Sequence, residues 1–355
     1  VPFNLSRFAA GFALSAVIVS AVAAPRPAGA DDALSVVLGK TTPALMDTLD
    51  LVAEGAGFYK REHLVVTKFY VGGAAEAAET CSGVVGTICP IGIEPVLTGY
   101  EQGLHLEMFM TRSSHFAYVV AVLDSSPIKT LADFRGKRIG THILGSAASG
   151  VMTTQSSLQT VGLTPKDYTF VPVGYEDKAY NAIVSGQVDA AAFPYYEFIP
   201  FMVAGKKMRI FYHPTLKDVV NVGYAVSPLT VLEQGSAVGR FTKAIVEAAL
   251  FVRTNPAAAA RLLLQAHGTP FTEADVSVYT ADLNAWENDL PAADPNNKHI
   301  GAFSFPGLTQ YIALLAQAGV TKHEIPVSAV VTNQFIDYAN RFDHQAVEAL
   351  AKGMH

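Results

Sequence analysis

Cysteine is nearly absent from this chain: Cys81 and Cys89 are the only two among 355 residues. That excludes a disulfide scaffold and a Cys-rich metal site. Eight residues apart, they either pair in an oxidising compartment or stay as two small buried residues that never meet. Charge is thin as well. Only 16% of residues are charged, the net charge is −6, and no run of Lys or Arg forms a stripe. Nucleic acid is therefore not an expected partner. The ten His are scattered singly, with no His-Glu-x-x-His pair and no Gly-x-Ser-x-Gly elbow. Gly39-Lys40-Thr41 resembles the end of a phosphate-binding loop, but the Gly needed at position 34 is Leu. Gly145 to Gly150 lacks the second Gly of a dinucleotide fingerprint. No cofactor, no metal and no enzymatic activity are expected.

What is present is apolar material. Half of the chain is hydrophobic, enough for two domains with a large core. Residues 1–30 read as a secretory signal peptide: Arg7 as the positive region, Phe8 to Ala24 as the apolar stretch, and Ala28-Gly29-Ala30 as the cleavage site. The alternative is an uncleaved anchor, but the run is shorter than the ~20 residues that span a bilayer. No Cys sits at the cleavage point to carry a lipid, and no other long apolar run follows. The expectation is an exported, periplasmic protein.

Past that segment, strand and helix signals alternate. Leu34 to Leu38 is β-rich, Leu45 to Ala56 has helical spacing closed by Gly57, and Leu64 to Val71 is a strand. Ala74 to Thr80 is helical, and Val84 to Cys89 is a third strand closed by Pro90. A second unit repeats the order. Arg138 to Thr141 is a strand, a helix opens at Gly145-Ser146 and runs to about Val161, and Tyr168 to Val173 is a strand. Lys178 to Val184 is then a helix and Val188 to Phe193 a strand closed by Pro194. Two such units predict two doubly wound α/β lobes. They echo each other faintly: Ser82-Gly83 and Ser185-Gly186 each precede a β-rich run, a Pro and, twelve residues after the Ser, a Glu (Glu94 and Glu197). The remainder reads as helices at 241–254, 256–266, 272–286, 308–318 and 328–342. This tail should pack back on the first lobe.

In an open α/β sheet, ligands bind beyond the carboxyl ends of the strands. The candidate ligand residues follow from that rule. Thr41, Thr42, Gly145, Ser146 and Ala147 lie between a strand and a helix start, where free backbone N–H groups suit an anionic or polarised group. Ile91, Gly92 and Glu94 follow the last strand of the first unit, and Tyr195, Tyr196 and Glu197 follow the last strand of the second. Aromatics beside a carboxylate suit a flat, partly apolar ligand. Asn221 and Tyr224 lie where the chain should return to the first lobe, and Ser113 adds a hydroxyl.

Four segments, Ala53-Glu54-Gly55-Ala56-Gly57-Phe58-Tyr59, Leu131 to Gly140 (LADFRGKRIG), Gly145-Ser146 and Ser185-Gly186-Gln187-Val188-Asp189-Ala190, resemble the NMT1/THI5-like and SsuA-like group of substrate-binding proteins. The resemblance covers roughly residues 34 to 225. It implies a type II periplasmic-binding fold with a two-strand hinge, a small-molecule ligand, an ABC permease in the inner membrane as partner, and action as a monomer. Relatives in that group bind alkanesulfonates, taurine, nitrate, aromatic carboxylates or thiamine-pyrimidine precursors. The domain plan expected is 1–30 signal peptide, 31–122 first part of lobe 1, 123–221 lobe 2, and 222–355 the return to lobe 1 with the C-terminal helices. Rival readings on the same fold are a pyrimidine-precursor synthase, for which no matched set of catalytic residues is present, and a sensory binding protein.

Overall fold

The computed structural model describes residues 31–39, 45–144, 148–174, 178–216, 219–268, 270–286, 290–291 and 299–354. The expected signal peptide lies outside these residues. Ten described strands form two five-stranded sheets. The first contains β1 (Asp32–Leu38), β2 (Leu64–Tyr70), β3 (Thr87–Gly92) and β4 (Glu107–Thr111), together with β10 (Val222–Val226). The second contains β5 (Tyr118–Leu123), β6 (Arg138–Thr141), β7 (Thr169–Pro172), β8 (Ala190–Pro194) and β9 (Met208–Phe211). The orders, β2-β1-β3-β10-β4 and β7-β6-β8-β5-β9, follow one plan. In each sheet the strand that runs antiparallel to its neighbours is the one arriving from the other lobe, β10 or β5. The chain passes between the sheets twice, at 112–117 and 212–221. This is the type II periplasmic-binding fold, α/β in class with a helical C-terminal part.

Side-chain alternation along the strands divides the cores. Val36, Phe109 and Tyr224 face one layer of the first sheet, and their neighbours Val37, Met108 and Ala225 face the other. The helices Pro228–Thr254, Pro256–Ala266 and His344–Gly353 cover the first layer, whereas Phe305–Gln317 covers the second. The tail thus packs on both faces of the first sheet. In the second sheet Val120 and Val122 face one core, Val119 and Ala121 the other. Among the described residues no helix is long and apolar enough to cross a membrane.

Several expected boundaries move, each for a local reason. The third strand begins at Thr87, because Val84–Gly86 forms the turn: Gly86 has φ 80°, and the Thr87 hydroxyl donates to the Val84 carbonyl at 2.6 Å. It also runs through Pro90, which the ladder to β1 tolerates since that register ends at Ile88. The helix expected from Gly145-Ser146 starts at Ser149. The crossing into the second sheet precedes β5, so residues 118–122 belong to that sheet rather than to the first. The expected helix 328–342 is broken into a short turn at Val327–Ala329 and a short helix at Ile336–Ala339. Asn333 and Asn340 instead use their side-chain amides to hold the backbones of Phe303 and Ile300, and residues 330–332 pair with Met108. Cys81 and Cys89 are joined in a disulfide that ties the helix Ala74–Gly83 to β3.

Candidate functional site

The parallel strands β1, β3, β6 and β8 all point their carboxyl ends into the space between the lobes. A cleft of roughly 190 Å³ opens there. Leu38, Pro90 to Gly92, Thr141 to Ile143 and Pro194 to Glu197 line it from the strand ends. The crossing segment supplies its floor through Arg112, Ser113, His115 and Ala117.

The two walls differ in chemistry. On the first-lobe side Arg112 leaves β4 and is 3% exposed. Its Nη2 donates to the Met46 carbonyl at 2.7 Å and to Asp50 Oδ2 at 2.9 Å. Asp47 lies 3.9 Å from the same nitrogen, and the guanidinium sits 4.8 Å over the Tyr224 ring. Tyr224 and Tyr59 both donate to Asp50, at 2.9 and 3.4 Å. Burial pushes the Asp50 carboxyl up and Arg112 pulls it back. This cluster is an ion pair built into the core, with Arg112 and Asp47 at its cleft edge.

On the second-lobe side His142 follows β6 and its Nε2 meets both oxygens of Glu197, at 2.8 and 3.1 Å. Its ring packs edge-on against Phe193 at 4.2 Å. The helix Ser149–Gln159 begins at the cleft, so its first backbone N–H groups are near the space where a solute would sit. Gly150 permits this placement: a Cβ there would lie 2.8 Å from the Ala192 carbonyl of β8. Tyr118, Tyr195, Tyr196 and Trp286 add aromatic surface.

Beneath the floor lies Glu94, fully buried. Its Oε1 accepts from Asn221 Nδ2 and from the Tyr311 hydroxyl, both at 2.7 Å. Burial raises its pKa, and the hydrogen bonds from Tyr311 and Asn221 partly offset that. Asn221 also accepts the Ala117 N–H through its side chain (2.9 Å) and the Ile93 N–H through its carbonyl (2.8 Å). One residue therefore knits the two crossings together at the hinge. Gly92 must be Gly, because a Cβ would run into the Glu94 carboxylate and lie 3.1 Å from Ser149 Oγ of the second lobe.

A family model described as NMT1/THI5 like matches residues 48–259. The chain belongs to the NMT1/THI5-like family. A Haemophilus influenzae protein named for thiamine biosynthesis is 25% identical over 272 residues, covering 74% of this chain and 81% of that one. Among solved structures, the alkanesulfonate-binding protein SsuA from Xanthomonas axonopodis, bound to MOPS, is similar at TM-score 0.64 and 17% identity, covering 85% of this chain and 99% of that one. The periplasmic aliphatic sulphonate binding protein SsuA from Escherichia coli is similar at TM-score 0.62 and 15% identity, covering 85% and 92%. The desulfurization enzyme DSZB is more distant, at TM-score 0.54 and 15% identity, covering 87% and 98%.

In this NMT1/THI5-like chain the structure sorts the candidate residues into three groups. Ile91, Gly92, Ser113, Tyr195, Tyr196 and Glu197 line the cleft. Glu94, Asn221 and Tyr224 are fully or almost fully buried behind it, in the hinge network and the Arg112 cluster, and are not among its described lining residues. Thr41, Thr42, Gly145, Ser146 and Ala147 lie outside the described residues. Sequence reading missed Asp47, Arg112, His142, Ser149 and Trp286. For Arg112 and His142 a signal existed: each is a charged or titratable residue directly after a short β-rich run. For Trp286 the signal was only that it is the single Trp of the chain. Among the described residues no group of three metal-ligating side chains is found.

Proposed function

We propose that this protein is the periplasmic solute-binding component of an ABC-type importer, holding a small ring-bearing organic molecule between its lobes. The observation that carries the reading is the cleft itself: it takes walls from both sheets, while among the described strands the chain moves from one sheet to the other twice, between β4 and β5 and between β9 and β10. A solute that touches both walls favours the closed arrangement over open ones, and the closed form is what a permease would recognise. Binding, and not catalysis, fits the walls. Arg112 is held by Asp50 and Glu197 by His142, which fixes both side chains as parts of the wall.

The solute class follows from the lining. Aromatic rings flank a carboxylate–imidazole pair, a setting for a flat molecule with a polar edge. Sulfonate binding by the SsuA structures and the thiamine-related name of the Haemophilus relative support two solute types, an organic anion at the start of helix Ser149–Gln159 or a heteroaromatic compound. Asp47, beside Arg112, and Glu197, held by His142, both line the cleft and favour a ring compound with a polar edge over a compact dianion. A thermal-shift screen of the exported protein against aromatic acids, pyrimidines, sulfonates and nitrate tests this. A melting-temperature rise of several degrees with a ring compound, together with a smaller radius of gyration in solution scattering, is expected. Identical scattering with and without a saturating solute would count against lobe closure.

A further inference from the structure

We propose that Trp286 sets the specificity of the cleft and that the helix it ends is a latch joining the lobes around a planar ring. The proposal rests on the solute-binding reading above and names the residue that reads the solute. Trp286 is the chain's only Trp. It belongs to the C-terminal helical part, expected from sequence to serve the first lobe alone. Its indole is nevertheless part of the cleft lining, next to residues of the second lobe. The residue is 4% exposed, and its ring meets Tyr196 edge to face, with centroids 6.5 Å apart at 65°. A flat solute placed there adds a third ring to an existing pair, where offset and edge-on contacts are favourable.

The scaffold around Trp286 fixes it from both sides. Its helix, Glu273–Trp286, packs along Pro256–Ala266, whose Leu262 and Leu264 belong to the first lobe's core. The same helix packs on Ile199–Val203, which follows β8 in the second lobe. It therefore touches both lobes. Beyond Trp286 the chain is held again at Leu290, which is fully buried. The Leu290 carbonyl accepts from Arg253 Nη2 at 2.6 Å and from the Ser114 hydroxyl, and the Pro291 carbonyl accepts from Arg253 Nη1 at 2.7 Å. Ser114 sits between two cleft residues, Ser113 and His115, on the first crossing. The indole thus meets Tyr196 of the second lobe, and the chain beyond it, at Leu290, is hydrogen-bonded to the crossing segment. Opening of the lobes must pull the helix off Ile199–Val203 or move the indole.

The test uses the full exported chain. Benzenesulfonate, benzoate and 4-aminopyrimidine serve as ring probes, with MOPS and taurine as probes lacking an aromatic ring. Binding is scored by thermal shift, and the Trp environment by emission and acrylamide quenching, which report Trp286 alone. Each ring probe that raises the melting temperature should shift the emission of Trp286, and its quenching, low at 4% exposure, should not rise. Trp286→Ala should weaken that probe tenfold or more, Trp286→Phe by threefold or less. A ring probe that binds without shifting the emission, or that binds Trp286→Ala with wild-type affinity, overturns the proposal. Preference for MOPS or taurine over every ring probe overturns it too. Absence of any thermal shift counts instead against the solute-binding reading. The latch is then judged in solute-free protein by hydrogen exchange: Trp286→Ala should speed exchange at residues 199–203 at least fivefold, and unchanged exchange there overturns it.

Discussion

Glu94 and Glu197 occupy matching places in the two lobes and meet opposite fates. Each follows the third strand of its sheet order, β3 or β8, and each lies in the helical turn that comes next. Glu94 is sealed beneath the cleft by Asn221 and Tyr311, whereas Glu197 stays at the cleft wall against His142. The first lobe's carboxylate is built into the hinge, whereas the second lobe's lines the cleft. The same division runs through the rest of the site. Charges of the first lobe are locked into the Arg112–Asp50 cluster, while the second lobe presents a helix start and a polar pair. Two sheets of one plan therefore differ in where their charged side chains go: into the hinge and the core in the first, to the cleft wall in the second.

Removing a first-lobe partner should have the largest effect. Arg112→Ala would strand Asp50 in the core and is expected to cost about 3–5 kcal/mol of stability in denaturant unfolding. Glu94→Ala leaves Asn221 and Tyr311 without their acceptor, for about 2–4 kcal/mol. Losses below about 1 kcal/mol in both would erase the contrast. Reduction of Cys81–Cys89 comes next, at about 2–3 kcal/mol from freed chain entropy. Its signature should be faster hydrogen exchange in β3, with β6 and β8 unchanged; equal loosening of both sheets would break the comparison.

A pH series sharpens it further. Glu94 has a folded-state pKa raised by burial, so in this region the native state binds more protons than the unfolded one. Its contribution therefore grows as pH falls from neutral towards the unfolded value of about 4.3, and Glu94→Gln should flatten that part of the stability curve. A slope unaltered by Glu94→Gln would place the carboxyl in water. The smallest stability effect belongs to Glu197→Gln, within about 1 kcal/mol of wild type. Its consequence should fall on affinity, about tenfold for a bound ring compound by calorimetry, or about 1.4 kcal/mol.

How much of this the sequence showed depends on distance along the chain. Helices Pro256–Ala266 and Lys178–Val184 were legible to the residue, because local punctuation fixes them: the Asn255 side chain caps the first by accepting from Ala258 N–H. Strands β4, β5, β9 and β10 were not assigned: each is a run of four to six residues outside the two strand–helix repeats, and pairing with distant strands fixes it. Glu94 read as a ligand residue because a Glu after a strand end looks the same whether buried or open. Its burial is decided by Asn221 and Tyr311, 127 and 217 positions away. Trp286 was invisible for the same reason, since only the packing of its helix on Ile199–Val203 brings it to the cleft.

The strand order also fixes a timetable for synthesis. The second sheet is drawn from one unbroken stretch, 118–211, and has all its strands once that stretch has emerged. The first sheet cannot close then, since β10 must slide between β3 and β4, and β10 ends at Val226. Until that point the apolar edges at Ile88 and Phe109 have no neighbour, although both were made much earlier. Long-range pairing of this kind is slow, and it leaves β4 without a strand partner in the sheet until β10 arrives. The lobe whose strands come first in the chain is therefore the last to be completed.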